Sequence, residues 1–255
     1  MTTSPSPCRP QPARLGAVQV ENSRTRTFIF DARWQAEPGQ FLMAWLPRFD
    51  EKPFSLVDDD PLTITVAVVG PFTTLLHRLR PGDRLWLRGP LGQGFQIGGS
   101  HSLLLVGGGY GVAPLSFLAR RGLDAGRTVS AVIGARTASD LLFAERLRQQ
   151  GAEVRLATED GSLGECGLAT EVVEPLLARG ACDGLFACGP HGMLAALARL
   201  AERFGVPAQL SWEATMRCGL GLCGSCEKDG KLLCLDGPVL PYLPAGDGFG
   251  PSASP

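Results

Sequence analysis

The chain has 255 residues, 44% hydrophobic and 19% charged, which is room for two ordinary domains and a small appendage. Its formal net charge is −1 without a basic block, and no apolar run reaches the roughly 18–20 residues that cross a bilayer. Nucleic acid and membrane are therefore excluded as expected partners, and an N-terminus without the apolar core of a signal peptide points to the cytoplasm.

Residues 1–13 are rich in Pro, Ser and Thr and are expected to be disordered, as are the Pro/Gly/Ser-rich residues 244–255. Between 14 and 98, short apolar runs at 17–20, 27–30, 41–46, 62–69 and 84–88 read as strands. Pro38-Gly39, Pro81-Gly82 and Gly89-Pro90 punctuate them. Five or six short strands with little helical periodicity predict a small antiparallel β-barrel.

From 99 to 208 the pattern changes. Strands are predicted at 102–106, 128–133, 153–157 and 184–187, alternating with helices through about Arg121, over 138–150, near 168–178 and over 191–204. This alternation predicts a parallel α/β domain. Its first strand runs into Gly107, Gly108, Gly109, Tyr110, Gly111, Val112, Ala113 and Pro114. A strand, a glycine turn and a helix N-terminus let backbone amides face a pyrophosphate. Pro114 stands where the third glycine of the G-x-G-x-x-G pattern would be, and the second strand ends in Gly134-Ala-Arg136 rather than an acidic residue. A dinucleotide is implied, with NAD and NADP both open. Cys188, Gly189 and Pro190 end another strand just before a helix; alone, they read equally well as a simple turn.

Residues 209–243 are too few and too glycine-rich for a core of their own, and need a staple. Eight cysteines in a reducing compartment argue for metal rather than disulfides, and four of them crowd together as Cys218, Cys223, Cys226 and Cys234. The first three have the C-x4-C-x2-C spacing of plant-type [2Fe–2S] proteins. Gly219, Gly221 and Gly224 permit the positive φ angles that turn amides toward sulfur, and Arg217 is a nearby cation. A structural zinc knuckle is the bland alternative, although such sites usually pair two short Cys hooks. Cys8, Cys166 and Cys182 read as ordinary small side chains.

Taken in this order, the pieces resemble the ferredoxin–NADP reductase superfamily. They are most similar to the electron-transfer, iron–sulfur subunits of class 1B dihydroorotate dehydrogenase and to the small subunits of hydrogenases and transhydrogenases. The resemblance spans roughly residues 14–243. It implies a flavin- and iron–sulfur-dependent oxidoreductase subunit carrying FAD, a [2Fe–2S] cluster and NAD(P). In the family an Arg-Pro-x-Ser segment binds FAD, and Lys52, Pro53, Phe54, Ser55 and Leu56 take its place here. Ser55 would lie near the flavin ring and Lys52 near the diphosphate, as a point charge without arginine's two-donor fork.

By the same analogy Gly70, Thr73 and Thr74 face the flavin pyrophosphate, and Gly89–Phe95 lies near the flavin or the domain junction. Gly107–Pro114 would hold the nicotinamide nucleotide, with Cys188-Gly189-Pro190 near the nicotinamide and Glu159 or Asp160 touching the nucleotide. The gap between Cys226 and Cys234 is shorter than in the best-known dihydroorotate dehydrogenase subunits and closer to the hydrogenase and transhydrogenase relatives. No general acid or base is expected among His77, His101 and His191, since the cofactors carry the chemistry.

The resemblance implies an FMN-containing catalytic partner, most simply a dihydroorotate dehydrogenase subunit of pyrimidine biosynthesis in a heterotetramer of two of each chain. Electrons would pass between that partner and NAD by way of the cluster and FAD. A hydrogenase- or transhydrogenase-type complex, a stand-alone NAD(P)H reductase and a non-redox zinc module remain the alternatives.

Overall fold

A computed structural model describes residues 8–243. Strands β1 (Gln11–Val20), β2 (Thr25–Phe30), β3 (Phe41–Leu46), β4 (Asp50–Asp59) and β5 (Leu62–Ala67) precede a short helix, α1 (Pro71–Leu76), and strand β6 (Arg84–Leu91). The six strands close into an antiparallel barrel in the order β1-β2-β5-β4-β3-β6. Alternation along the strands turns Leu15, Phe28, Phe30, Leu42, Leu56, Ile64, Leu85 and Leu87 inward, all fully buried. At roughly 1.5–3 kcal/mol for each such side chain, this interior dominates the stability of the barrel.

Disorder is not what residues 11–13 show. They open β1 and pair with Leu85–Leu87 of β6, burying Ala13. The expected disorder of residues 1–7 and 244–255 concerns positions outside the described residues.

The second layer begins with β7 (Ser102–Gly108), followed by a 3₁₀ turn at Gly109–Gly111 and helix α2 (Val112–Asp124). Strand β8 (Thr128–Ala135), helix α3 (Ala144–Gln150), strand β9 (Glu153–Thr158) and the two-residue β10 (Glu165–Cys166) follow. Helix α4 (Ala169–Ala178), strand β11 (Gly184–Cys188), helix α5 (His191–Phe204) and strand β12 (Ala208–Ser211) complete the alternation. These strands pair in parallel in the order β10-β9-β8-β7-β11-β12. Apolar residues cover both faces, with α2 and α3 on one side and α4 and α5 on the other.

Helix α3 is shorter than the predicted 138–150. Leu141 is extended, and Phe143 adopts a left-handed conformation with φ 62° that buries Leu142 and Phe143.

The remaining elements are a minimal hairpin, β13 (Glu227–Lys228) and β14 (Lys231–Leu232), and strand β15 (Val239–Tyr242). β15 is not confined to a separate C-terminal unit: it pairs antiparallel with β12 as the edge of the large sheet. The cysteine segment packs its Cys226, Leu233 and Cys234 into one apolar cluster with Trp212 and Met216 and with Phe41, Met43 and Leu91 of the barrel. Barrel, sheet and cysteine loop thus share buried surface. Among the described residues, no helix is long and apolar enough to cross a membrane.

Candidate functional site

Two adjoining cavities open where the barrel meets the carboxyl ends of the parallel strands, the usual ligand position in open α/β sheets. The larger, about 620 Å³, is lined by Gly108, Gly109 and Tyr110 after β7, Gly134–Arg136 after β8, Glu159 after β9, and Pro190 and Met193 at the start of α5. Arg24 and Asn22 close it from the barrel side. The smaller, about 260 Å³, is lined by Pro53, Phe54 and Ser55 of β4, Thr73 of α1, Gly111, Ala113 and Pro114 at the start of α2, Cys188, and Trp212–Ala214. Tyr110, Ala67 and Val69 border both.

The glycine loop makes the larger cavity possible. Gly109 has φ +55° and open space where a side chain would stand, so the backbone itself forms the wall. A methyl group on Gly111 would lie 2.6 Å from the Cys188 carbonyl oxygen, so α2 starts in direct contact with the end of β11. Cys188 is buried, and that desolvation pushes its thiol up to about 12 against the opposing Ser211 hydroxyl, keeping it neutral at physiological pH. Burial also raises Glu213, offset by His191, and raises Tyr110, helped by the nearby Glu213 and Cys188. Gly189 contacts Gly108 and Met193, and Pro190 caps α5 beside Gly108. The three histidines are spent on structure: His77 meets the Val66 carbonyl, His101 meets Arg127, and His191 meets the Glu213 carbonyl.

The flavin-type residues divide. Pro53, Phe54, Ser55 and Thr73 reach the smaller cavity, and the Phe54 ring stacks on Phe72 of α1 at 6.2 Å. Leu56 is fully buried in the barrel interior instead. Lys52 does not line the cavity; its Nζ lies 2.6 Å from Asp50 Oδ2, on the strand face it shares with Phe54. The Thr73 hydroxyl accepts from the Val69 and Gly70 amides, and Thr74 donates to the Gly70 carbonyl. Both hydroxyls therefore shape the turn, which leaves the first-turn amides of α1 as the outward donors. Gly89–Phe95 lies at the domain junction: the Gln93 amide donates to the Gly237 carbonyl, and Phe95 meets Phe186 edge-on at 6.0 Å. Glu159 lines the larger cavity, whereas Asp160 accepts from Ser162.

The four cysteines gather at one place: Cys218 acts on the Cys223 thiol, and both Cys226 and Cys218 act on Cys234. Gly219, Gly221 and Gly224 all have positive φ. The amides of Leu220 and Leu222 donate to Cys218 Sγ at 3.4 and 3.3 Å, and that of Gly221 donates to Cys234 Sγ at 3.2 Å. Among the described residues, no three Cys, His, Asp or Glu side chains are spaced for a single metal ion. Four gathered thiols with amides turned onto two of their sulfurs would suit a [2Fe–2S] group, whose sulfurs take such hydrogen bonds. Hydrogen bonds from Ser225 and Cys218 pull Cys223 down to about 6, toward the thiolate a metal needs, whereas burial pushes Cys234 up to about 11.

Sequence reasoning missed Arg88, Trp212, Glu213 and Arg24, whereas Tyr110 lies inside the glycine loop it singled out. Arg88, rather than the exposed Arg217, is the cation that reaches the cysteine loop. Only Tyr110 carried a local signal, being the one large residue inside a glycine turn.

The family model for the iron–sulfur cluster binding domain of dihydroorotate dehydrogenase B matches residues 213–243. A protein of Methanothermobacter thermautotrophicus named "Probable dihydroorotate dehydrogenase B (NAD(+)), electron transfer subunit" is 41% identical over 238 residues, covering 90% of this chain and 88% of the relative. One of the same name from Methanopyrus kandleri is 44% identical, covering 91% and 90%. Among solved structures, the NADH-dependent reduced ferredoxin–NADP oxidoreductase of flavin-based electron bifurcation superposes with a TM-score of 0.82 at 30% identity, covering 90% of this chain and 88% of that one. The ferredoxin reductase of carbazole 1,9a-dioxygenase shares the fold, with a TM-score of 0.68 at 23% identity over 78% of this chain and 66% of that one.

Proposed function

From the premise that the chain belongs to the family of dihydroorotate dehydrogenase B (NAD(+)) electron transfer subunits, we propose that it passes electrons between NAD and a separate FMN-containing catalytic subunit. The observation that carries this reading is the gathering of four cysteines with three amides turned onto two of their sulfurs, in a segment that packs Cys226, Leu233 and Cys234 against the barrel. When bound, FAD supplies two-electron exchange with a nicotinamide, and a [2Fe–2S] cluster supplies one-electron transfer.

The chain's own residues bind, orient and exclude water. Phe54 and Pro53 offer an apolar wall for an isoalloxazine ring and Ser55 a hydroxyl at its edge, with Lys52 released from Asp50 to meet a phosphate. Gly107–Pro114 and the dipole of α2 receive the nucleotide pyrophosphate, while Cys188, a neutral thiol, packs against the nicotinamide without donating a proton. Arg24 and Arg136 line the larger cavity and offer cations to a nucleotide, with Glu159 next to Arg136. The assembly would hold two copies of each subunit in the cytoplasm and oxidise dihydroorotate for pyrimidine synthesis.

Two observations favour a second reading. The seven residues from Glu227 to Leu233 close the cysteine gap with a minimal hairpin, and the 30% identical bifurcating oxidoreductase covers nearly the whole chain. A transhydrogenase-type partner is therefore the competitor.

The purified chain should show flavin bands and a brown absorption bleached by dithionite, with about two irons per chain. Co-expressed with its catalytic partner, it should couple dihydroorotate oxidation to NAD reduction. A colourless, zinc-containing protein ends the redox reading. A coloured complex inactive on dihydroorotate transfers the assignment to the second partner.

A further inference from the structure

Arg88 is an unusual residue for a barrel wall: only 5% exposed, charged, and bonded both to a neighbouring strand and to the cysteine loop. Its Nε lies 2.7 Å from Glu51 Oε1 and its Nη2 2.7 Å from Glu51 Oε2, a fork-to-fork pair with the strand that continues into Lys52–Leu56. The same Nη2 donates to the Cys218 carbonyl at 2.8 Å. Burying an ion pair is a poor way to gain stability, because an apolar side chain of similar volume costs less to desolvate. What a guanidinium offers and an apolar residue does not is a rigid set of donors that engages two elements at once.

The position of that second bond matters. Carbonyl and amide of one peptide point in opposite directions, so holding the Cys218 oxygen fixes the plane of the Cys218–Gly219 peptide. Gly219 then turns with φ +65° against the barrel, where an added methyl group would meet Leu91 Cδ1 at 3.2 Å and Met43 Cγ at 3.3 Å. From this fixed start the next three amides, of Leu220, Gly221 and Leu222, reach Cys218 Sγ and Cys234 Sγ. Amides on ligand sulfurs stabilise the added negative charge of a reduced cluster.

We propose that Arg88 is a positioning residue that ties the cysteine loop to the flavin-side strand β4 and, through the Cys218–Gly219 peptide, holds the amide-to-sulfur bonds that raise the cluster's potential. This rests on the electron-transfer reading. Because Glu51 neutralises Arg88, the effect travels through peptide orientation and not through net charge.

The test uses the full-length, cofactor-loaded protein and reads the midpoint potential and the electron paramagnetic resonance spectrum of the dithionite-reduced cluster, with flavin content as a folding control. Arg88→Met should keep its flavin, shift the g-values and move the potential negative. Arg88→Lys, which keeps the charge but not the planar fork, should shift both in the same direction by less. It carries the measurement if Arg88→Met does not assemble. The double variant Glu51→Gln/Arg88→Met removes both charges and should stay below the wild-type potential. Unshifted spectra and potentials in the single variants overturn the proposal, as does a double variant that returns to the wild-type value, which would assign the effect to charge. A wild-type protein with flavin but no reducible iron would instead overturn the electron-transfer reading itself.

Discussion

Gly109 and Gly111, two residues apart in one loop, do different jobs, as a methyl group added at each shows. At Gly109 a methyl group meets nothing within 4 Å, but φ is +55° and the added atom stands at the wall of the larger cavity. Gly109→Ala should cost about 1–2 kcal/mol of stability for the left-handed backbone and weaken NADH binding by roughly tenfold or more. At Gly111 the backbone angle is ordinary, and the obstacle is the Cys188 carbonyl at 2.6 Å, which cannot move without β11. Gly111→Ala should cost about 1–3 kcal/mol and weaken NADH as well, because α2 is pushed off the end of the sheet. Thermal unfolding and calorimetric titration with NADH separate the two. Unchanged NADH affinity in both variants would remove this loop from the nucleotide site. The loop and the cysteines were legible in the sequence because each motif is local, its chemistry written in adjacent residues. Arg88 was not, since its bond to Cys218 spans 130 positions and no short pattern announces it.

At the scale of elements, β4 shows both what the sequence hides and what holds the molecule together. Its residues were recognisable as a flavin-type segment, yet Pro53 and four acidic residues disguise the strand, which survives because its neighbours β3 and β5 are strongly apolar. The far end of β4 places Asp58 and Asp59 under α2. Arg120 Nη2 reaches Asp58 Oδ1 at 2.7 Å and Asp59 Oδ1 at 3.0 Å, and Arg121 Nη2 reaches Asp59 Oδ2 at 3.0 Å. Between the two arginines, Phe117 of α2 is fully buried in the barrel core, with each guanidinium 5.2 Å from its ring centre. This joint fastens the barrel to the helix whose other end lines the smaller cavity. Breaking a buried ion pair by deleting one partner costs about 3–5 kcal/mol, but these arginines are about a third exposed, so solvent recovers part of the loss. Asp59→Ala should therefore cost about 1–3 kcal/mol in denaturant unfolding. A shift under about 0.5 kcal/mol, the range of ordinary surface substitutions, would show that the joint rests on Phe117 alone.

For the whole molecule, the arrangement amounts to a route with one end inside and the other outside. The larger cavity lies between barrel and sheet, and the cysteine loop crosses from the buried Cys226 and Cys234 to the exposed Cys223. Beside Cys223 stands Leu222, 82% exposed, with Leu235, 47% exposed, in the same segment. Glycine spacing explains the loop's turns but not two bare leucines in the cysteine loop; covering them with a partner does. If that is the electron-exchange surface, its loss should separate two activities. Leu222→Asp should leave flavin, iron and NADH-dependent ferricyanide reduction as in the wild type, since none of these needs the partner. Partner-dependent transfer should fall, because docking would now bury an uncompensated carboxylate. A penalty of only about 1.4 kcal/mol already weakens association tenfold. Raising the catalytic-subunit concentration by that factor should recover the rate if docking is what failed. Coupled activity equal to wild type at limiting partner would place the contact elsewhere. A loss that no concentration restores would mean that Leu222 governs the cluster rather than the interface.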